Sequence, residues 1–362
     1  MTNRISFSLL VVFILLALNS CKHNPVAPVV QPGPRDYLWT MDTLYSPMNS
    51  FQSVWGSSDS DVWAVGAGGT PFDYLQHFDG TRWAPWFANH PQVTYVSGEC
   101  LYGFSSNDVW MGGQSWGDPG AGICHWNGVS WGSYFNYNPE PDTFSTVWVQ
   151  DVWGFRPNNV YACGGMMYSL QLNPESPSSR GFLLHYDGSS WREVVRGDSG
   201  QQCGFIKLRG EDSTLFVQEY RRGGVGDSVV IAFYKWDQGH LSKIYSNVLG
   251  RMPSTVNFEY VGDEVCFPFS NDVYIYSQGE FVKYLSVNIL NWNYYLCGRS
   301  KEDIFLSMSD GLVHYNGTDY KYLYEWPEAS VTLCGRALFN KDVFFLLNHG
   351  YTNFVLHGTL KQ

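Results

Sequence analysis

Five sets of side chains in this 362-residue chain have the types and spacing that chemistry uses. Gly128-Val129-Ser130-Trp131-Gly132 fits G-x-S-x-G, the sharp turn that lifts a nucleophilic serine between a strand and a helix. No helix pattern follows it, and it aligns with DGTRW (79–83) and DGSSW (187–191), so Ser130 reads as a turn residue. His77, His125, His185, His314 and His357 resemble a metal set by type. Each, however, stands at one position of a recurring phrase. Ligands of a single metal lie about 2 Å from it, whereas repeat-equivalent positions are spread around a fold. Hydrogen bonding beside the turn is the expected role. Arg156, Arg209, Arg299 and Arg336 could gather a carboxylate, but each follows a short apolar run and is expected in a first-to-second-strand loop. Arg221-Arg222-Gly223-Gly224 could cradle an anion, and Asp59 with Asp61 could touch a calcium ion. A lone glycine-rich loop and a capped turn account for these as well. No catalytic residue, metal ligand or cofactor site is assigned from these sets.

The elements that must position such residues are all strands. HFDGTRW (77–83) returns as HWNGVSW (125–131), HYDGSSW (185–191) and, more faintly, HYNGTDY (314–320). Ahead of each copy runs a second phrase, as in SDVWAVGAGG (60–69), NDVWMGG (107–113) and NNVYACGG (158–165). Its leading polar residue recurs as Asp61, Asp108, Asn159, Thr214, Glu264, Asp303 and Asp342, at spacings of 47, 51, 55, 50, 39 and 39. Periods of 40–50 residues mark a ring of repeated sheets. Each period holds a short apolar run ending in Gly, the D-V-aromatic run, a third apolar strand, an Asp-Gly or Asn-Gly reversal and a Trp strand. That is four strands per repeat.

The pattern NVYACGG…FLLHYDGSSWREV resembles a kelch repeat, with Gly68-Gly69, Gly112-Gly113 and Gly164-Gly165 as its double glycines. The D-G-x-x-W turn is similar to the Asp-box hairpin of sialidase-type propellers, with histidine where that box has serine. The resemblance implies an all-β fold: a seven-bladed β-propeller of four-stranded blades. The last repeat lacks its Trp strand. RDYLWTMDTLY (35–45), with Trp39 placed like Trp83, Trp131 and Trp191, is expected to supply it by pairing with the C-terminal blade and so closing the ring. Trp63, Trp110, Tyr161, Phe216, Phe305 and Phe344 share one repeat position, which makes the 17% aromatic content packing between sheets rather than a sugar-stacking surface. In sialidase-type enzymes an arginine triad holds a carboxylate near the central axis. The arginines here, expected in loops on the face opposite the usual propeller ligand site, do not match that arrangement.

The first residues are expected to lie outside the fold. Arg4 precedes an apolar run (5–18) shorter than the roughly 20 residues that span a bilayer. Leu18-Asn19-Ser20-Cys21 resembles a bacterial lipobox, which implies cleavage after residue 20 and acyl chains, palmitate among them, on Cys21. The expected domains are a signal peptide (1–20), a proline-rich extended tether (21–36) and the propeller (37–362). Lys22 follows the cysteine, so the enterobacterial inner-membrane retention signal is lacking, and the outer membrane is the expected address, with its side left open. The net charge of −11 argues against a nucleic-acid partner. Seven further cysteines (100, 124, 163, 203, 266, 297, 334) have no short paired spacing, so buried thiols and one or two disulfides both stay open.

Recognition is expected where loops are long: 114–122, 166–180 and 219–227 between second and third strands, 89–99 and 136–146 between repeats. Trp116, Tyr137, Tyr168, Tyr220 and Arg221 lie there outside the repeat positions and are the candidate ligand-binding residues. The function read from all this is a lipid-anchored envelope propeller that binds a protein or glycan partner without catalysis. The alternative is a carbohydrate-active enzyme, sialidase-like or lyase-like.

Overall fold

The computed structural model describes residues 32–44, 50–67, 74–88, 96–115, 120–140, 143–168, 178–201, 203–222, 228–249, 257–327 and 330–361. They belong to one compact unit, Pro32–Gln362. Val, Ile, Tyr, Phe and Trp, the side chains that suit a pleated surface, fill its runs. Apart from a single 3-10 turn at Trp86–Ala88, the regular structure of the described residues is strand.

The strands fall into four-stranded units. After β1 (Tyr37–Leu44) come β2 (Ser50–Ser58), β3 (Asp61–Ala67), β4 (Leu75–Phe78) and β5 (Trp83–Pro85), which form the first unit in that order. The second unit is β6 (Val96–Ser105), β7 (Asp108–Ser115), β8 (Ala121–Trp126) and β9 (Trp131–Tyr137). The third is β10 (Phe144–Arg156), β11 (Asn159–Tyr168), β12 (Ser178–Tyr186) and β13 (Trp191–Arg196), with the short β14 (Gly200–Gln201) added to β12. The fourth is β15 (Cys203–Glu211), β16 (Thr214–Arg222), β17 (Val229–Asp237) and β18 (His240–Leu249). The fifth, β19 (Glu259–Val261), β20 (Glu264–Phe269), β21 (Asp272–Ser277) and β22 (Glu280–Ser286), joins the sixth, β23 (Trp292–Ser300), β24 (Asp303–Met308), β25 (Gly311–Tyr315) and β26 (Tyr320–Glu325), through one parallel pair, Val261 with Gly298. The last sheet has the order β1-β29-β28-β27, built from β27 (Thr332–Leu338), β28 (Asp342–His349), β29 (Thr352–Leu360) and the N-terminal strand.

The expected pairing of the chain's two ends is present: β1 runs antiparallel to β29 from Tyr37 opposite Leu360 to Leu44 opposite Asn353. Trp39 faces Gly358, one residue past His357, as Trp83 faces Phe78, one residue past His77. The core lies between neighbouring sheets. Trp63 of the first unit, for example, packs with Trp126 and Trp131 of the second, at ring separations of 5.7 and 5.6 Å.

The repeated phrase has a defined geometry. The Nε2 of His77, His125, His314 and His357 donates to Asp61, Asp108, Asp303 and Asp342 at 2.7–2.8 Å, and His185 donates to Asn159 at 2.8 Å. The aromatic two residues beyond each acceptor packs on the imidazole, stacked with centroids 4.0 Å apart for Phe344 and His357 and 4.2 Å for Trp110 and His125, and edge-on for Phe305 and His314. The acceptor starts the second strand and the histidine ends the third, so each set ties two strands together. In the turn that follows, the side chains of Asp79, Asn127, Asp187 and Asn316 accept from the backbone N–H groups two and three residues on at 2.9–3.0 Å. The next residue, glycine each time, has φ near +90°. Ser130 is one of the donors, and Val129 beside it is 82% exposed, so G-x-S-x-G here is a solvent-facing reversal.

All seven cysteines of the described residues are free thiols, and six are buried.

Candidate functional site: the axial cavity

The first strands of the units bear a recurrent irregularity. Five of them slip register by one residue at matching positions, leaving Gln52, Glu99, Gln150, Ile206 and Cys334 as the extra residue of a β-bulge. A bulge re-aims the side chain it carries. All five line one cavity of about 350 Å³, and every first strand, β2, β6, β10, β15, β19, β23 and β27, contributes residues to its wall. The units therefore stand around a common axis with their first strands innermost.

Deeper along the same strands lies a layer of equivalent positions, each opposite the aromatic position of the second strand: Trp55, Tyr102, Trp153, Arg209, Glu259, Cys297 and Ala337. The layer is lopsided. Three consecutive units give aromatics, the fourth and fifth give a cation and an anion, and the last two give small side chains. The aromatics overlap the next unit. A Cβ on Gly103 would lie 2.6 Å from the Trp55 ring and one on Gly210 2.2 Å from the Trp153 ring, so these glycines make room for the rings. Tyr102 donates its hydroxyl to the Gly154 carbonyl at 2.8 Å.

On the other side of the axis the charges are paired. Glu259, 2% exposed, accepts from Arg209 and Arg336, both at 2.8 Å, and from Lys207. Arg209 also donates to Asp151 at 2.9 Å, and Asp151 accepts from the Leu208 N–H at 2.9 Å. The network thus links the third, fourth, fifth and last units across the axis. Burial alone would raise the Glu259 pKa; the three surrounding cations outweigh it and hold the carboxyl well below the usual carboxylate range. Burial, followed by the charge of Arg209, lowers Lys207.

Glu99 has no such company. No described residue donates a hydrogen bond to its carboxyl, and burial pushes its pKa up to about 7. It stands between Gln52 and Gln150 of the adjoining units. Gln150 accepts from the Trp148 indole at 3.2 Å, which leaves its amide NH₂ as a donor. The Tyr295 hydroxyl is pushed well up by burial against the opposite wall.

The arginines need a correction. Arg209, Arg299 and Arg336, expected in loops on the face away from the ligand side, are inside first strands, and Arg156 ends β10. The glycine that seems to end each apolar run is itself within the ladder, Gly210 opposite Leu215 and Gly298 opposite Ile304, so the strand continues past it. Arg209 and Arg336 converge on Glu259 in the cavity, whereas Arg299 ties down Asp303, the Tyr37 hydroxyl and the Phe339 carbonyl.

The candidate ligand-binding residues are more dispersed. Trp116 and Cys21 lie outside the described residues. Tyr137 ends β9, Tyr168 ends β11, and Tyr220 and Arg221 are near the end of β16. Fourth strands and second strands end on the same face, so the four share one rim. Tyr137 is 8% exposed, packs on Phe182 and donates to Glu193, which makes it a core residue rather than a contact surface. Tyr168 lies under the Arg180 guanidinium at 5.6 Å. Arg221, expected in a loop, is paired with Val230 in the ladder and donates to Glu219 at 2.8 Å. The axial residues Glu99, Asp151, Lys207 and Glu259 were not singled out in the sequence. A signal was available: Gln52-Ser-Val-Trp-Gly, Glu99-Cys-Leu-Tyr-Gly and Gln150-Asp-Val-Trp-Gly repeat a polar residue three positions before the aromatic.

No protein-family model matches the chain, and no curated protein matches it in sequence. Solved structures do. The Cps50 (Swd1) β-propeller domain of Myceliophteria thermophila aligns with a TM-score of 0.51 and 11% identity, over 90% of this chain and all of that domain. The acylaminoacyl peptidase of Pyrococcus horikoshii aligns with a TM-score of 0.50 and 9% identity, over 87% of this chain and 52% of that longer one. At these identities the likeness concerns the fold alone: the all-β chain folds as a β-propeller.

Proposed function

We propose that the chain is a lipid-anchored envelope protein whose seven four-stranded blades close into one ring and which binds a protein or glycan partner without transforming it. The carrying observation is the pairing of reactive groups. Asp151, Glu259, Lys207, Arg209 and Arg336 neutralise one another at the axis, and the histidines are committed to their acceptors at the strand ends. What is left for a partner is the polar mouth of the cavity and the rim bearing Tyr168, Tyr220 and Arg221. The anchor is supported by the Leu-Asn-Ser-Cys sequence and the prolines behind it. The side of the outer membrane is left open by both.

One observation favours the carbohydrate-active alternative: Glu99, a raised and unpaired carboxyl of the kind general acids use. Glycoside hydrolysis uses two carboxyl groups, and the other two acids on the cavity wall are held in ion pairs, which favours binding. Incubation of the purified chain with a glycan panel separates the readings, because saturable binding without new reducing ends is expected and turnover would establish the enzyme. For the anchor, Cys21→Ser is expected to abolish palmitate labelling and to move the protein from the membrane to the soluble fraction. Labelling that survives the substitution would remove the lipoprotein reading.

A further inference from the structure

We infer that the arc of the axial cavity made by the first three units, Gln52, Glu99 and Gln150 over Trp55, Tyr102 and Trp153, is a binding subsite for one neutral sugar residue. The inference deepens the binding reading above by naming a ligand class and a place for it.

The fold delivers these six side chains by one device used three times. A bulge turns a polar side chain into the cavity, and three residues later along the same strand an aromatic follows. The fourth and last units carry Ile206 and Cys334 on the equivalent bulges, so among these five bulges the polar ones belong to three adjoining units. Two amides flanking a carboxyl provide donors and acceptors in alternation, the pattern that adjacent hydroxyl groups satisfy. Trp55, Tyr102 and Trp153 also line the cavity, and Trp55 and Tyr102, only partly buried, give it apolar wall for the C–H face of a pyranose, while Trp153, 7% exposed, backs them. A cavity of about 350 Å³ lies at the small end of ligand pockets and has room for one ring.

Charge favours a neutral ligand. Lys207, Arg209 and Arg336 face Asp151 and Glu259, which leaves at most one positive charge in excess on that wall, and Glu99 offsets it where it is ionised. A carboxylate ligand would meet Glu99. An amine would pair with Glu99, so ethanolamine is the control for that case.

The test is isothermal titration of the full-length chain in detergent with D-glucose, D-galactose, D-mannose, L-fucose and N-acetylglucosamine, each alone, with ethanolamine and acetate as charged controls. At least one neutral sugar is expected to bind saturably, with Glu99→Ala and Gln150→Ala each weakening it about tenfold or more and Val129→Ala, on the exposed second-unit turn, leaving it unchanged. Thermal melts of each variant check that it folds. Should Glu99→Ala fail to fold, indole N–H shifts of Trp55 and Trp153 in the unsubstituted chain on adding sugar serve instead. Silence of every neutral sugar, binding of ethanolamine alone, or sugar binding indifferent to Glu99→Ala and Gln150→Ala would overturn the inference. Capture of an envelope partner lost on rim substitution, with the cavity silent, sinks the subsite and leaves the binding-protein reading standing. Sugar binding with no captured partner and no turnover does the reverse for a protein partner.

Discussion

Two glutamates on the axial wall show how the same group takes opposite roles from its neighbours. Glu259 is the hub of three cations, and removing one partner of a buried ion network strands the others. Glu259→Gln should therefore cost about 3–5 kcal/mol in denaturant unfolding. Its depressed pKa means that the stability it contributes is present above the ordinary glutamate range and is lost only as pH falls through the lower, folded value. Glu99 has the other sign. Its folded pKa of about 7 lies above the ordinary 4.5, so the folded state holds the proton more tightly, and unfolding free energy falls as pH rises from 4.5 to 7. The loss is on the order of 2 kcal/mol after allowance for its partial exposure. Glu99→Gln should flatten that part of the stability–pH curve without abolishing it. Glu211, also raised to about 7 by burial and by the neighbouring Glu264 carboxylate, against the opposing hydrogen bond from the Val265 N–H, titrates in the same window. An unchanged slope in Glu99→Gln would show that Glu99 is solvated.

At the scale of elements, the N-terminal strand has the most to explain. It is eight residues long, yet it is held by its own ladder and by side chains from two sheets. The Arg35 guanidinium donates to His314 Nδ1 at 3.2 Å, which fixes Nε2 as the protonated nitrogen facing Asp303, and Arg299 donates to the Tyr37 hydroxyl at 2.5 Å. Trp39 packs against Tyr324 and Phe345 and fills the space above Gly358, where a Cβ would lie 2.5 Å from its ring. Gly358→Ala should therefore overpack this joint by about 1–3 kcal/mol, and Trp39→Ala should lose about 2 kcal/mol of burial. Both should lower the thermal midpoint. If neither shifts it, β1 does not contribute to holding the last sheet. The turn elements are less informative about function, since their Asx caps and positive-φ glycines recur wherever the chain reverses.

For the whole molecule, the position of the termini orients the faces. Gly33 donates to the Glu302 and Asn316 carbonyls, and Arg35 bonds to Asp319, all on the face where first strands turn into second and third into fourth. Tyr168, Tyr220 and Arg221 are on the opposite face. Arg221→Glu combined with Tyr220→Ala is then expected to reduce capture of an envelope partner several-fold while leaving the melting temperature within a few degrees. Loss of capture only on substituting the turn face would reverse the orientation.

How much of this was legible depends on whether the signal is local. The marker residues Asp61, Asp108 and Asp342, the histidines that meet them and the Asp-Gly and Asn-Gly reversals are written in short phrases, because hairpin pairing and turn capping act within about twenty residues; the pairing of Trp39 with Gly358 at the other end of the chain was legible only as a gap in the last repeat that the N-terminal segment fits. The sequence by itself therefore determined the four-stranded repeat, the structural use of its histidines and the pairing of its two ends. Only the tertiary structure decided that Glu259 meets Arg209, Arg336 and Lys207, that Tyr137 is core, and that Gln52, Glu99 and Gln150 face one cavity. Those outcomes depend on one-residue bulges that reverse which side of a strand looks inward and on contacts between different repeats, such as Glu259 with Arg209 and Arg336 at separations of 50 and 77 residues, which no local pattern encodes.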